Sequence, residues 1–223
     1  MKQLVQYVLA LAALLLIPLF HTFYNLLNND QRGAQLLITK VDELIPFVDI
    51  FIVPYIIWYP FIFLTMAYLA WKDRAIYWKT LATMLISMLV CYAIYFVFQT
   101  HVPRPELQGK GFFTSLVKLI YANDEPYNAF PSIHSLTSFL MLFGIVKARG
   151  ISKPVVMTVS ITSLLIIIST LFVKQHVILD AVSAILLGFV VFQAIEAIVS
   201  IGVRIDLSNQ TVRKSQLSRI GNR

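Results

Sequence analysis

The sequence predicts an all-α polytopic membrane protein, a bundle of six transmembrane helices with its candidate catalytic loops at the outer face. Three observations carry this. Hydrophobic residues make up 58% of the 223 residues and charged residues only 13%, about half the roughly 25% of a soluble domain. The apolar residues are gathered into long stretches rather than alternating, which fits helices and not barrel strands. The basic residues divide unevenly between the loops, as they do when a membrane orients a chain.

A spanning helix needs about 20 mostly apolar residues. Six stretches qualify in order: Leu4–Leu27, Ile50–Trp71, Leu81–Phe98, Ser132–Val146, Val155–Val173 and Ile178–Val203. The fourth is the shortest and carries Ser and Thr. Only Lys174, Gln175, His176 and Val177 separate the fifth from the sixth. The first follows Lys2 and is succeeded by no small-residue cleavage site, so it reads as a retained anchor and not a signal peptide. Between the first two, residues 35–48 mix apolar positions with Lys40, Asp42 and Glu43, the pattern of an interfacial amphipathic helix. Residues 1–203 thus form one transmembrane domain. Residues 204–223 form a polar, basic cytoplasmic tail near anionic lipid.

With the N-terminus inside, twelve of the 18 Lys and Arg fall on the cytoplasmic side. The positive-inside rule then places both termini in the cytoplasm and the loops holding Arg104, His134 and His176 outside. This accounts for the net charge of +7 as topology. Nucleic-acid binding is not indicated, because no basic motif of that kind is present. The single cysteine, Cys91, lies in an apolar run and allows no disulfide framework.

Ionisable groups at membrane depth are costly and usually functional. His176 and Asp180 are four residues apart, so on a helix they share a face and can hydrogen-bond. A carboxylate on one imidazole nitrogen fixes the tautomer and raises the basicity of the other, the logic of an activated nucleophile or base. The alternative is a structural pair at a helix start. Pro131-Ser132-Ile133-His134 opens the fourth span after a polar loop. A helix N-terminus with a serine there can bind phosphate beside His134, or Ser132 is simply a cap. Pro103-Arg104-Pro105 follows the third span. Arg104 offers a planar fork suited to phosphate, or it is a loop arginine at headgroup level. Glu196 reads first as a partner for a cytoplasmic-side cation such as Arg204. Two histidines and a carboxylate can also hold zinc; retained activity in excess chelator would exclude that reading.

Taken together, Arg-Pro, then Pro-Ser-x-His, then His-x-x-x-Asp, each at the outer end of a different span, resemble the type 2 phosphatidic acid phosphatase superfamily from about Phe98 to Asp180. The resemblance implies a metal-independent, cofactor-free enzyme. His176 would be the nucleophile forming a phosphohistidine, Asp180 its orienting carboxylate, and His134 the acid and then base. Arg104, Ser132 and Lys174 would hold the phosphoryl oxygens. The implied activity is hydrolysis of a membrane lipid phosphate: phosphatidic acid, phosphatidylglycerol phosphate or a polyprenyl diphosphate, at the plasma membrane. The pattern departs from the family at three places. Val97 stands where the first motif has lysine, Ile133 where the second has glycine, and Thr170 where the third has arginine. Lys174 is the candidate replacement for one cation, and Gln99 or Lys110 for the other. The bulky residue in Pro-Ser-Ile-His and the Lys-Gln-His run are similar to the branch of inositol phosphorylceramide synthases, which implies headgroup transfer as an alternative. A non-catalytic lipid-binding or transport protein on a degenerate scaffold is the third reading.

Overall fold

Continuous apolar runs leave the backbone no solvent partner in a bilayer, so each run closes its hydrogen bonds internally as helix. A computed structural model describes the backbone of residues 1–221 and the side chains of residues 1–202. The elements are α1 (Lys2–Ala13), α2 (Leu16–Leu27), α3 (Lys40–Leu44), a 3-10 turn (Asp49–Phe51), α4 (Ile52–Ile56), α5 (Trp58–Lys72), α6 (Arg74–Val97), α7 (Phe112–Asn123), α8 (Ile133–Lys147), α9 (Lys153–Phe172) and α10 (Ile178–Gly221). The chain is an all-α polytopic membrane protein. Among the described residues, five apolar helical segments are long enough to cross a membrane, and a shorter apolar helix, α8, has 15 residues. The basic tail expected over residues 204–223 lies outside the residues whose side chains are described.

Local chemistry explains where the elements differ from the sequence reading. The first span breaks between α1 and α2, where Leu14 and Leu15 donate to carbonyls three residues back. Pro18 follows the break and has no N–H to continue the ladder. The second span breaks at Ile57, three residues before Pro60. The third begins at Arg74 rather than Leu81, because Asp73 caps it by accepting the Ile76 N–H at 3.2 Å. The interfacial helix expected over residues 35–48 is cut down to α3. Thr39 starts it with a capping box to Asp42, and Ile45, extended ahead of Pro46, stops it. Helix α7 was not anticipated. It packs beside the 3-10 turn, where the Thr114 hydroxyl donates to Asp49 at 2.5 Å.

Helix α8 is the centre of the bundle, packed against α5, α6, α9 and α10. Its Leu136, Leu140 and Met141 are fully buried with Met66, Leu69, Tyr77, Met84 and Phe192. Gly144 lets α6 come close: a Cβ there would lie 2.8 Å from the Thr80 hydroxyl. Large apolar side chains such as Leu64, Leu89, Leu186 and Val190 remain exposed on the outside of the bundle, as lipid contact requires. At one end Arg74 donates to the Gln3 carbonyl and the Arg149 N–H to Asp73. Glu196 there pairs with Lys147 at 2.6 Å and Lys79 at 3.5 Å, so a cation at its own end is its partner. The α9–α10 turn and the long α6–α8 connection meet at the opposite end.

Candidate active site

The junction between α9 and α10 sets the position of His176. The turn closes on one carbonyl: Thr170 O accepts from both Gln175 N–H at 2.9 Å and His176 N–H at 3.1 Å. Lys174 takes a positive φ of 53° to make the reversal. His176 therefore precedes α10 and is not on it, unlike the shared helical face expected for His176 and Asp180. Its Nδ1 lies 3.0 Å from the Ala129 carbonyl and 3.4 Å from Asp180 Oδ2. Both partners are acceptors, so Nδ1 carries the proton and Nε2 keeps its lone pair. Asp180 is nearly fully buried. Its Oδ2 also accepts the Val177 N–H at 2.9 Å, capping the start of α10, while Oδ1 has no partner.

The start of α8 supplies the second histidine. Ser132 is buried and its hydroxyl accepts the Ser135 N–H at 3.2 Å. Its own N–H donates to the Asp180 carbonyl at 3.1 Å, which ties the start of α8 to the start of α10. His134 stands in the first turn, beside the rings of Tyr55 and Trp58, with centroids 4.6 and 3.9 Å away. Trp58 is itself held by donating to Thr137 at 2.8 Å. The His134 and His176 rings are 5.9 Å apart. One small group can touch both.

The cations lie behind this pair. Arg104 donates to the carbonyls of Tyr121 and Asp124 at 3.1 and 2.7 Å and to the Gln175 side chain at 2.7 Å, and its plane lies over the Tyr121 ring. It thereby joins its own loop, the end of α7 and the residue before His176. Lys174 donates to the carbonyls of Asp42 and Ile45. Asp42 Oδ1 accepts the Ile178 N–H at 2.8 Å, so α3 is fastened to the start of α10. Burial favours the protonated form of Asp42, but hydrogen bonds from Thr39 and Ile178 and the nearby Lys174 ammonium hold its carboxyl below the ordinary value. Gln99 is occupied by Leu27 O and Asn128, and Lys110 is exposed. Val97 is 79% exposed, so its side chain points away from the site.

His176 is a wall between two cavities. One, of about 280 Å³, is lined by His134, His176, the aromatic rings of Tyr24, Tyr55, Trp58, Tyr59 and Tyr95, and Asp124. No Lys or Arg lines it; the first turn of α8 reaches it through Ile133 and His134 and supplies the positive end of a helix. The other, of about 330 Å³, is lined by Arg104, Lys174, Asp42 and the apolar edge around Phe47 and Val102. Ser132 lines neither. Among the described residues, no three His, Cys, Asp or Glu side chains converge as a bound metal would require.

Sequence reasoning missed Asp42, Asp124 and the aromatic bracket of His134. Asp124 was visible only as part of a polar loop. Tyr55 and Trp58 lie on either side of the break at Ile57, within an apolar run where no sequence pattern marks them.

An all-α membrane bundle that brings two histidines within 5.9 Å, one of them beside a buried carboxylate, is the arrangement expected from the resemblance to a class of membrane phosphoryl-transfer proteins. A family model described as the PAP2 superfamily matches residues 34–194, and the chain belongs to that superfamily. No curated protein and no solved structure matches the chain. Membership supports an enzyme with a phosphatase- or phosphotransferase-type activity.

Proposed function

We propose that the protein is a membrane lipid-phosphate phosphatase that works through a phosphohistidine at His176, with its site at the outer face of the plasma membrane. The observation that carries this reading is the tautomer of His176: two acceptors hold Nδ1–H, so Nε2 is left free as the nucleophile, on a ring 5.9 Å from that of His134. His176 Nε2 attacks phosphorus and the P–O bond to the lipid alcohol breaks. His134 gives its proton to the departing oxygen. Asp180, whose Oδ2 lies 3.4 Å from His176 Nδ1, stabilises the imidazolium that forms. His134 then removes a proton from the second acceptor, whose oxygen displaces the histidine. Arg104 and Lys174 orient the turns carrying His176 and lend positive charge from the neighbouring cavity. Such a site works by positioning and by charge stabilisation in a water-poor setting. Phosphatidic acid, phosphatidylglycerol phosphate and polyprenyl diphosphates are the substrates in scope.

The cavity size favours a second reading, transfer of a phosphorylated headgroup to an alcohol. A cavity of about 280 Å³ beside His134 has room for an alcohol as well as for a water. The test uses purified protein in detergent and chelator with labelled phosphatidic acid. An acid-labile phosphoenzyme should form in the wild type, persist in His134→Ala and be absent in His176→Ala. Acid-labile phosphate on His176→Ala would mean that the nucleophile is another residue.

A further inference from the structure

We infer that the aromatic cavity beside His134 is an acceptor subsite for an uncharged, hydroxyl-rich alcohol, and that Asp124 is the residue that holds and selects it. The inference rests on the phosphohistidine reading for its chemistry and on the cavity walls for its ligand. In two successive in-line displacements, the leaving group departs opposite His176 and the acceptor arrives from that same side. The acid–base group must serve both, so the cavity lined by His134 is the one the acceptor enters.

The walls of that cavity suit a polyol. Asp124 ends α7 and faces the cavity. The Tyr24 hydroxyl donates to its Oδ1 at 3.0 Å and Asn28 Nδ2 to the same atom at 2.9 Å, which leaves Oδ2 for a ligand hydroxyl. Tyr59 and His21, joined at 3.0 Å, and the exposed amides of Asn25 and Asn123 add further donors and acceptors around the same space. A hydrocarbon there would leave Asp124 Oδ2 without a hydrogen-bond partner, which is unfavourable for a half-buried carboxylate. A polyol would pair with that oxygen and the groups around it while its CH faces rest on the rings.

The charge pattern selects among hydroxyl compounds. Asp124 is the charged side chain of the cavity wall, apart from its histidines. A second anion beside its carboxylate would be unfavourable; burial alone already pushes this carboxyl upward, opposed by the Tyr24 hydrogen bond, Arg104, His176 and His21. An uncharged alcohol donates one hydroxyl to Oδ2 and turns another towards phosphorus. The reaction then balances: the histidine N–P bond breaks, the alcohol O–P bond forms, the alcohol proton goes to His134 and His176 is regenerated neutral. Asp124 positions the alcohol and takes no proton.

Sorbitol and gluconate test this, since they share chain length and differ in charge. Trp58 lines the cavity, so its fluorescence reports binding in the full-length protein with Trp71 and Trp78 replaced by Phe. Sorbitol should bind saturably, gluconate at least tenfold more weakly. Asp124→Asn keeps the acceptor for Tyr24 and Asn28 but loses the charge. It should weaken sorbitol at least tenfold and narrow the discrimination against gluconate; Asp124→Ser should do the same. With labelled phosphatidic acid, the ratio of phosphate transferred to sorbitol over phosphate released should rise to a plateau in the wild type and fall in both variants. No saturable sorbitol binding, equal affinity for gluconate, or an unchanged ratio in the variants would overturn the assignment. Loss of the phosphohistidine with Asp124-dependent binding intact would instead remove the catalytic reading and leave the subsite standing.

Discussion

Replacing Arg104 with lysine keeps the charge and removes the planar fork, and the structure gives the size of the effect. Arg104 makes three hydrogen bonds, at 3.1, 2.7 and 2.7 Å, to three acceptors on two other segments. A lysine ammonium is a single point on a flexible stem and cannot reach all three. If it keeps one, two bonds to a charged donor are lost, each worth at least about 1.5 kcal/mol. The stacking on Tyr121 adds about 0.5–1 kcal/mol. The total is about 3–4 kcal/mol, and at roughly 2–4 °C per kcal/mol for a chain of this size the Tm falls by about 10 °C. Gln175 is one of the three acceptors and immediately precedes His176, so the proposed nucleophile should shift as well. A displacement of the order of 1 Å costs about 100-fold in rate. Thermal unfolding in detergent and turnover of labelled phosphatidic acid measure the two losses. A lysine variant with an unchanged Tm and wild-type turnover would refute the claim that the fork organises the site.

Other perturbations follow from the same contacts. Asp180→Asn should slow turnover by about 10–100-fold and not by the roughly 10⁴-fold seen where a carboxylate alone sets the tautomer, because the Ala129 carbonyl still holds Nδ1–H; a 10⁴-fold loss in the rate assay would show that Ala129 contributes nothing. Gly144→Ala should destabilise by about 1–3 kcal/mol through overpacking against Thr80, and adding Thr80→Ala should restore most of the Tm; failure of the double variant to recover would place the strain elsewhere. Asp42 has its carboxyl held below the ordinary value, so the stability it adds is present at neutral pH and is lost as pH falls through that lowered value, below about 4. Hydrogen exchange at the Ile178 amide should therefore accelerate in acid beyond the intrinsic effect of pH, and Asp42→Asn should weaken that acid response; equal protection at all pH values would remove Asp42 as the clasp.

The fold was legible in the sequence because its information is compositional: long apolar runs become helices wherever they lie. Boundaries were less legible where a single polar side chain sets them, as Asp73 does for α6 and Thr39 for α3. The residues His134, His176 and Asp180 were readable as a group because each sits at the mouth of a run, where an ionisable side chain stands out. The partners of His176 were only half readable. Asp180 follows from spacing, but the nearer acceptor is the backbone carbonyl of Ala129, which no sequence pattern marks. Asp124 and Arg104 belong to different segments brought together by α7, a helix too mixed in character to stand out from the connecting loop. The cations expected on the phosphate hold backbone carbonyls of neighbouring turns, an assignment only the folded chain reveals.

The shortness of α8 ties the chemistry to the lipid around it. Its 15 residues span about 22 Å, some 8 Å less than a hydrocarbon layer of about 30 Å. If Lys147 sits at one interface, the end bearing His134 lies below the other, and on the proposed reading a substrate phosphate would have to descend from headgroup level to meet it. A thinner bilayer shortens that descent, and a thicker one lengthens it or forces local compression. On that reading hydrophobic mismatch, felt through the helix at the centre of the bundle, would control how readily the headgroup reaches the histidines. Reconstitution in phosphatidylcholines of graded acyl length would turn that geometry into a rate.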